Sequence, residues 1–226
     1  MSTPAPRARF PGGLYALCDD AVRPELAVPE KAWRAIEGGA RVLQLRLKTA
    51  EPRQALATIR AVLELTRPMG VVCLVNDLVD YALATGADGV HVGDDDLPVE
   101  HARRLLGPSR IVGRTARRLE DILEARQAGA DYVGLGPIFP TTTKRVNHPP
   151  LGIDGLRAIA AASPLPIVAI SGISIDNIAE VAAAGAHGAA VASDLLNAVD
   201  ITEQARRLVR AFETGAARRS MGNASP

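Results

Sequence analysis

One heptapeptide pattern recurs four times along the chain: Gly39-Ala40-Arg41-Val42-Leu43-Gln44-Leu45, Gly86-Ala87-Asp88-Gly89-Val90-His91-Val92, Gly129-Ala130-Asp131-Tyr132-Val133-Gly134-Leu135 and Gly185-Ala186-His187-Gly188-Ala189-Ala190-Val191. The glycine suits the left-handed residue that closes a helix, and the apolar run behind it has strand length. Each copy therefore reads as the passage from a helix into a strand. Further apolar runs alternate with these four, giving eight predicted strands at 14–18, 42–45, 71–75, 89–92, 110–113, 132–136, 167–170 and 188–192. Strands apolar on both faces and separated by helix-like segments, such as 119–128, require parallel pairing through crossover helices. Four units of two βα modules predict a single-domain α/β fold, the closed (β/α)8 or TIM barrel, rather than an open doubly wound sheet. The Gly-x-Gly-x-x-Gly turn of the open sheet is missing after the first strand, where Asp19-Asp20-Ala21-Val22-Arg23-Pro24 follows.

With 226 residues the chain holds one barrel of roughly 200 to 250 residues and not two ordinary domains. The barrel is expected over 14–212, between an unstructured tail at 1–13 and a small, polar, frayed tail at 213–226. Aromatic residues are only 3% of the chain, so packing falls to Ala, Val, Leu and Ile. A net charge of +1 supplies no global field for nucleic acid or an anionic membrane. The expected partners are therefore small molecules, with a homo-oligomer left open. No stretch resembles a membrane span or a signal-peptide core. Cys18 and Cys73 fall inside predicted strands without ligand spacing and read as small core residues of a reduced, cytoplasmic protein.

Sites of such barrels lie where the strands end, and here those ends are polar. The second strand runs into Gln44-Leu45-Arg46-Leu47-Lys48, where alternation puts an amide and two cations on one side. The third ends in Asn76-Asp77 and the fourth in Gly93-Asp94-Asp95-Asp96, so four carboxylates are expected on one arc of the rim. Without a cation they would repel one another. Oxygen donors with no accompanying thiolate point to a hard cation, most simply Mg²⁺, which binds substrate phosphates. Helix capping ahead of Leu97-Pro98-Val99-Glu100 would occupy one of the aspartates.

Gly136-Pro137-Ile138-Phe139-Pro140-Thr141-Thr142-Thr143-Lys144 follows the sixth strand, three hydroxyls and a lysine able to meet phosphate oxygens. The seventh and eighth strands end at Ser171-Gly172-Ile173-Ser174 and Ala192-Ser193-Asp194, the usual place for a phosphate in such barrels, although Ser174 and Ser193 also suit helix caps. Two anion sites result, one with the metal and Arg46, Lys48 and Lys144, the other metal-free near Gly172 and Ser193. An enzyme joining a diphosphate to a monophosphate needs that layout. Thr115, after the fifth strand, fits either a phosphate contact or a helix start. His91, His101, His148 and His187 lack metal spacing and read as structural or exposed. No nucleophile–base pair is evident.

Over about 14–196 the chain closely resembles the thiamine-phosphate synthase family. The resemblance rests on Gln44 to Lys48, Val75-Asn76-Asp77, Gly86 to Gly93 followed by Asp95-Asp96, and Gly134 to Thr141 with Thr143-Lys144. It implies that hydroxymethylpyrimidine diphosphate and hydroxyethylthiazole phosphate are joined to thiamine phosphate with release of diphosphate and use of Mg²⁺. By motif position, Asp77 and Asp96 would bind the metal. Gln44, Leu45, Arg46, Leu47, Lys48, Asn76, Thr115 and Lys144 would hold the pyrimidine diphosphate. Thr141, Thr142, Thr143, Gly172, Ala192 and Ser193 would hold the thiazole phosphate. Arg46, Lys48 and Lys144 would stabilise the leaving group of a dissociative substitution, which explains the missing base.

The chain departs from the family pattern at four positions. Asp94 stands for the usual Gln, Thr115 for Ser, Arg117 for a frequent His, and Ser171 for the first Gly of a Gly-Gly pair. Asp94 adds negative charge beside the metal, and Ser171 narrows the approach to the thiazole phosphate. Two other readings are a thiazole tautomerase-like relative, which should carry a histidine after the fifth strand, and a non-catalytic phosphate-binding barrel.

Overall fold

The computed structural model describes residues 10–141 and 148–222. Eight parallel strands close on themselves in sequence order: β1 (Gly13–Asp19), β2 (Val42–Arg46), β3 (Val72–Asn76), β4 (Gly89–Val92), β5 (Ile111–Ala116), β6 (Tyr132–Leu135), β7 (Ile167–Ala169) and β8 (Gly188–Val191). Closure comes from β1 lying beside β8, with Gly13 opposite Gly188 and Ala16 opposite Val191. The helices are α1 (Val28–Glu37), α2 (Pro52–Thr66), α3 (Val79–Thr85), α4 (Val99–Leu106), α5 (Leu119–Ala128), α6 (Gly152–Ala162), α7 (Ile178–Ala183), α8 (Ser193–Leu196) and α9 (Ile201–Gly222). The expected (β/α)8 barrel is thus the observed one. Among the described residues no helix is long and apolar enough to cross a membrane.

The repeat sets the way into every even strand. Gly39, Gly86, Gly129 and Gly185 have φ of 100°, 74°, 97° and 112°, where a side chain meets its own carbonyl oxygen. The alanine after each glycine is buried and donates its N–H back into the last turn of the preceding helix, as in Ala130 to the Ala125 carbonyl at 2.9 Å. In the middle two copies the third residue closes the foot of the sheet. The Asp88 carboxylate accepts the Cys73 N–H and that of Asp131 accepts the Val112 N–H, both at 2.8 Å. Arg103 of α4 ties down the Gly129 carbonyl and the Asp131 carboxylate.

Alternation then divides the core in two. Tyr15, Val42, Leu74, Ile111, Tyr132 and Val168 fill the barrel with Phe10, while Leu43, Leu45, Val75, Val90, Val112, Val133 and Ala169 face the helices. Cys18 and Cys73 are buried free thiols, and burial pushes Cys18 up to about 12.

Three boundaries differ from the sequence reading. Phe10, assigned to the N-terminal tail, is buried and stacks on Tyr132 with ring centroids 4.3 Å apart. α9 continues to Gly222, past the expected end of the barrel at 212. Gly215 lets this continuation pack closely on α7, since a Cβ there would lie 1.9 Å from the Ala179 carbonyl oxygen. β5 runs to Ala116 rather than 113, which turns Thr115 toward the barrel axis and leaves Arg114 outside, 3.8 Å from Glu124.

Replacing Gly129 with Ala forces a left-handed alanine without a clash, since the nearest atom, Arg103 Cγ, would be 3.5 Å away. The expected loss is about 1–2 kcal/mol, read from the urea midpoint at unchanged slope. An unchanged midpoint would show that the repeat glycines are not there for their backbone.

Candidate active site

The C-terminal rim is organised by two adjacent aspartates at the end of β1. Asp19 is buried, faces the rim and accepts the Arg46 guanidinium at 2.6 Å and the Ala21 N–H at 2.8 Å. Behind it the buried Lys31 of α1 donates to the Asp19 and Val22 carbonyls at 3.0 and 2.8 Å, and burial pulls its ammonium below the ordinary lysine range. Asp20 points to the loop after β2. Its carboxylate accepts the N–H groups of Lys48, Thr49 and Ala50 and the Thr49 hydroxyl, at 2.8–3.0 Å. Partial burial pushes this carboxyl up, yet the Thr49 donors with the Lys48 and Ala50 amides outweigh it and hold Asp20 below the usual carboxylate range. Neither aspartate was singled out by motif, although both lie in the segment that excluded a glycine-rich turn.

Along β2, Gln44 is buried on the barrel side and Arg46 and Lys48 follow on the same face. Leu45 and Leu47 belong to the layer between sheet and helices, so their side chains do not line the rim. The Lys48 ammonium lies 2.5 Å from the Asp77 carboxylate, which bridges the ends of β2 and β3. Asp77 has φ 64°, a conformation aspartate tolerates better than most residues, and its N–H is held by the His91 carbonyl at 2.8 Å. Asn76 precedes it as the last residue of β3.

The four expected acids do not all converge. Asp96 meets Asp77, and its carboxylate also accepts the Gly93 N–H at 2.7 Å. It does not cap α4, whose N-cap is Pro98. Asp94 turns away to an ion pair with Arg117 at 2.8 Å, and Asp95 is exposed. The extra negative charge of Asp94 is thus matched by another departure from the family pattern, Arg117. Burial, then the neighbouring Asp77, pushes the Asp96 carboxyl above the usual range.

Among the described residues no group of three or more His, Cys, Asp or Glu side chains is placed to hold a metal. Asp77 and Asp96 make a pair of crowded oxygen donors. That suits Mg²⁺, which takes one or two carboxylates and completes its shell with water and phosphate oxygens.

His91 lies beneath this rim. It is buried inside the barrel, with Nε2 3.1 Å from the Thr115 hydroxyl and Nδ1 2.9 Å from the Tyr132 hydroxyl. Its position on the barrel side of β4 was the available signal. Thr115 does not start α5, whose N-cap is Arg118.

Across the rim, the loops after β6 and β7 touch. The Ile138 and Phe139 N–H groups donate to the Ile170 and Ser171 carbonyls, and a Cβ on Gly172 would lie 2.5 Å from the Pro140 carbonyl oxygen. Thr141 follows Pro140 directly in the chain. Ser171 has φ 73° and Gly172 69°, which explains why two glycines are favoured here. Ala192 and Ser193 open the four-residue α8, and Asp194 ties that helix to Ile175 N–H and Gln204. Thr142, Thr143 and Lys144 lie outside the described residues.

Comparison with known proteins adds the following. Residues 14–195 match the family model described as thiamine monophosphate synthase. The chain is 56% identical over 215 residues to the thiamine-phosphate synthase of Myxococcus xanthus (strain DK1622), covering 95% of this chain and 98% of that protein. It is 48% identical over 213 residues to the thiamine-phosphate synthase of Anaeromyxobacter dehalogenans (strain 2CP-C), covering 94% and 93%. The solved thiamine phosphate pyrophosphorylase from Pyrococcus furiosus superposes with a TM-score of 0.81 at 37% identity, over 90% of this chain and 96% of that one.

Two substitutions test the local geometry. Ser171→Gly removes left-handed strain and should raise stability by about 0.5–1 kcal/mol in urea melts, whereas a lowered midpoint would contradict the strain. Asp20→Ala should cost about 1–2 kcal/mol at neutral pH. Because the folded-state carboxyl is depressed, its contribution is present above the unfolded value of about 3.9 and is lost as pH falls through the folded one. The gap between wild type and variant should therefore close in acid. A gap of constant size would rule out the carboxylate as the anchor.

Proposed function

The chain belongs to the thiamine monophosphate synthase family and is a transferase of thiamine biosynthesis; on that premise we propose how its rim carries out the coupling. The substrates are 4-amino-2-methyl-5-(diphosphooxymethyl)pyrimidine and 4-methyl-5-(2-phosphooxyethyl)thiazole, and the products are thiamine phosphate and diphosphate. The observation that carries this reading is the cluster of Lys48, Asp77 and Asp96 beside Arg46, two carboxylates and two cations on one arc of the rim. A carboxylate pair to hold Mg²⁺ and cations to meet the oxygens around it form a receptor for a diphosphate.

The substitution proceeds by loss of the leaving group first. The carbon–oxygen bond between the pyrimidine methylene and the diphosphate breaks, its electron pair stays on oxygen, and the thiazole nitrogen lone pair closes on the resulting pyrimidinylmethyl cation. Bound Mg²⁺ supplies positive charge to the departing oxygens. No proton has to move in this substitution, so it asks for no general base. Arg46 is held by Asp19, and the backbone of Lys48 by Asp20, so both cations are in place before charge develops. Lys144 adds a third cation on the strength of its motif. Thr141, Gly172, Ala192 and Ser193, with Thr142 and Thr143, form the second, metal-free phosphate site, which positions the thiazole. Arg117, standing where a tautomerase-like relative needs a histidine, is engaged with Asp94. A cytoplasmic setting accords with the two buried free thiols.

Purified protein mixed with both substrates and Mg²⁺ should yield thiamine phosphate by mass spectrometry, and none in EDTA. Equal product in EDTA overturns the metal assignment, and no product under either condition overturns the synthase reading. Lys144→Ala should lower turnover by about 2–4 kcal/mol of transition-state stabilisation. Unchanged turnover refutes its leaving-group role.

A further inference from the structure

A chain of four polar side chains runs up the inside of the barrel. The Tyr15 hydroxyl lies 2.9 Å from the Tyr132 hydroxyl, which lies 2.9 Å from His91 Nδ1, and His91 Nε2 lies 3.1 Å from the Thr115 hydroxyl. The sheet is shaped around it. A Cβ on Gly113 would come within 2.2 Å of the Tyr132 ring, and one on Gly134 within 2.9 Å of His91 Cε1, so two glycines leave the grooves in which the rings sit. Phe10 closes the lower end by stacking on Tyr132.

The order of donors follows from the closed end. Burial raises the pKa of both phenols, so each keeps its proton. Tyr15 is fully enclosed, and among the described residues its hydroxyl has one hydrogen-bonding neighbour, the Tyr132 oxygen. If Tyr132 donated to Tyr15, the Tyr15 proton would be buried without an acceptor, the costlier arrangement. Tyr15 therefore donates to Tyr132, and Tyr132 donates to His91 Nδ1. That nitrogen must be bare, so the ring is neutral with its proton on Nε2, which donates to Thr115 Oγ1. With an oxygen lone pair engaged by His91, the Thr115 hydroxyl is left to give its proton to an acceptor at the rim.

We propose that Tyr15, Tyr132 and His91 act as positioning residues, a one-way hydrogen-bond chain that fixes Thr115 as a donor to an acceptor atom of the ligand. The identity of that ligand as the pyrimidine diphosphate rests on the function proposed above. The direction of the chain does not. It also accounts for Thr in place of the family's usual Ser, since the relay needs only the hydroxyl and leaves the methyl group to pack against its surroundings.

The direct test is a long-range ¹H–¹⁵N correlation spectrum of the full-length protein labelled at histidine nitrogen, with His91 assigned by its disappearance in His91→Asn. Wild type should show His91 as the Nε2–H tautomer, and Tyr132→Phe, which removes the donor to Nδ1, should mix or reverse it. An Nδ1–H tautomer or an imidazolium in wild type overturns the proposal, as does a tautomer unmoved in Tyr132→Phe. A kinetic arm tests the consequence. Thr115→Val and Tyr132→Phe should each lower kcat/KM for the pyrimidine diphosphate by roughly 10- to 100-fold, the size of one hydrogen bond to a polar or charged acceptor. The double variant should be no worse than Thr115→Val alone, and Thr115→Ser should retain activity. Losses that multiply in the double variant overturn the coupling. If no thiamine phosphate forms in wild type, the functional reading fails while the tautomer still decides the relay.

Discussion

Every even strand of this barrel is entered through a left-handed glycine followed by a buried alanine that bonds back into the helix it leaves. The chain must end a helix, reverse and begin a strand within three or four residues, and the backbone polar groups freed by the reversal have to find partners there. With that junction repeated at four places, the strands come out in phase and β1 meets β8 without an open edge. All eight C-terminal ends then point to one rim. The polar residues placed there by separate segments become neighbours because of the closure.

The rim is an electrostatic arrangement built inward from fixed carboxylates. Asp19 is buried with its carboxylate satisfied by Arg46 and the Ala21 amide, and in return it fixes where the guanidinium stands. Asp20 uses three backbone amides to shape the turn that carries Lys48. These groups have their partners already, so little reorganisation is left for the arrival of an anionic ligand. Asp77 and Asp96 differ in that they crowd each other, and such crowding is the property expected of groups meant for a cation. On the far side, the left-handed Ser171 and Gly172 let the loops after β6 and β7 close over each other.

Much of this was legible in the sequence. The Gly-Ala pairs located the even strands, and Gly89–Val92 and Leu119–Ala128 agree with the predicted bounds residue for residue. Strand order alone put Lys48 and the acids around Asp77 and Asp96 on one arc of the rim, and only the family resemblance singled out Asp77 and Asp96 among them. Side-chain partnerships across the barrel were not legible. Three acids in a row on paper, Asp94 to Asp96, separate into an ion pair with Arg117, an exposed residue and a partner of Asp77 once the turn after β4 is folded. His91 gave no metal spacing, and its role depends on Tyr132 and Tyr15, which are 41 and 117 residues from their partners in the chain. The stretch read as a C-terminal tail was misjudged because α9 continues through Gly215, which packs closely on α7.

Asp77 and Asp96 are proposed to bring a divalent cation to the diphosphate. Isothermal titration calorimetry of the pyrimidine diphosphate into the protein, with and without Mg²⁺, and into Asp77→Asn and Asp96→Asn, addresses it directly. The account predicts heat of binding in Mg²⁺ that is lost without the metal and in both variants. Equal affinity in all four titrations would contradict it.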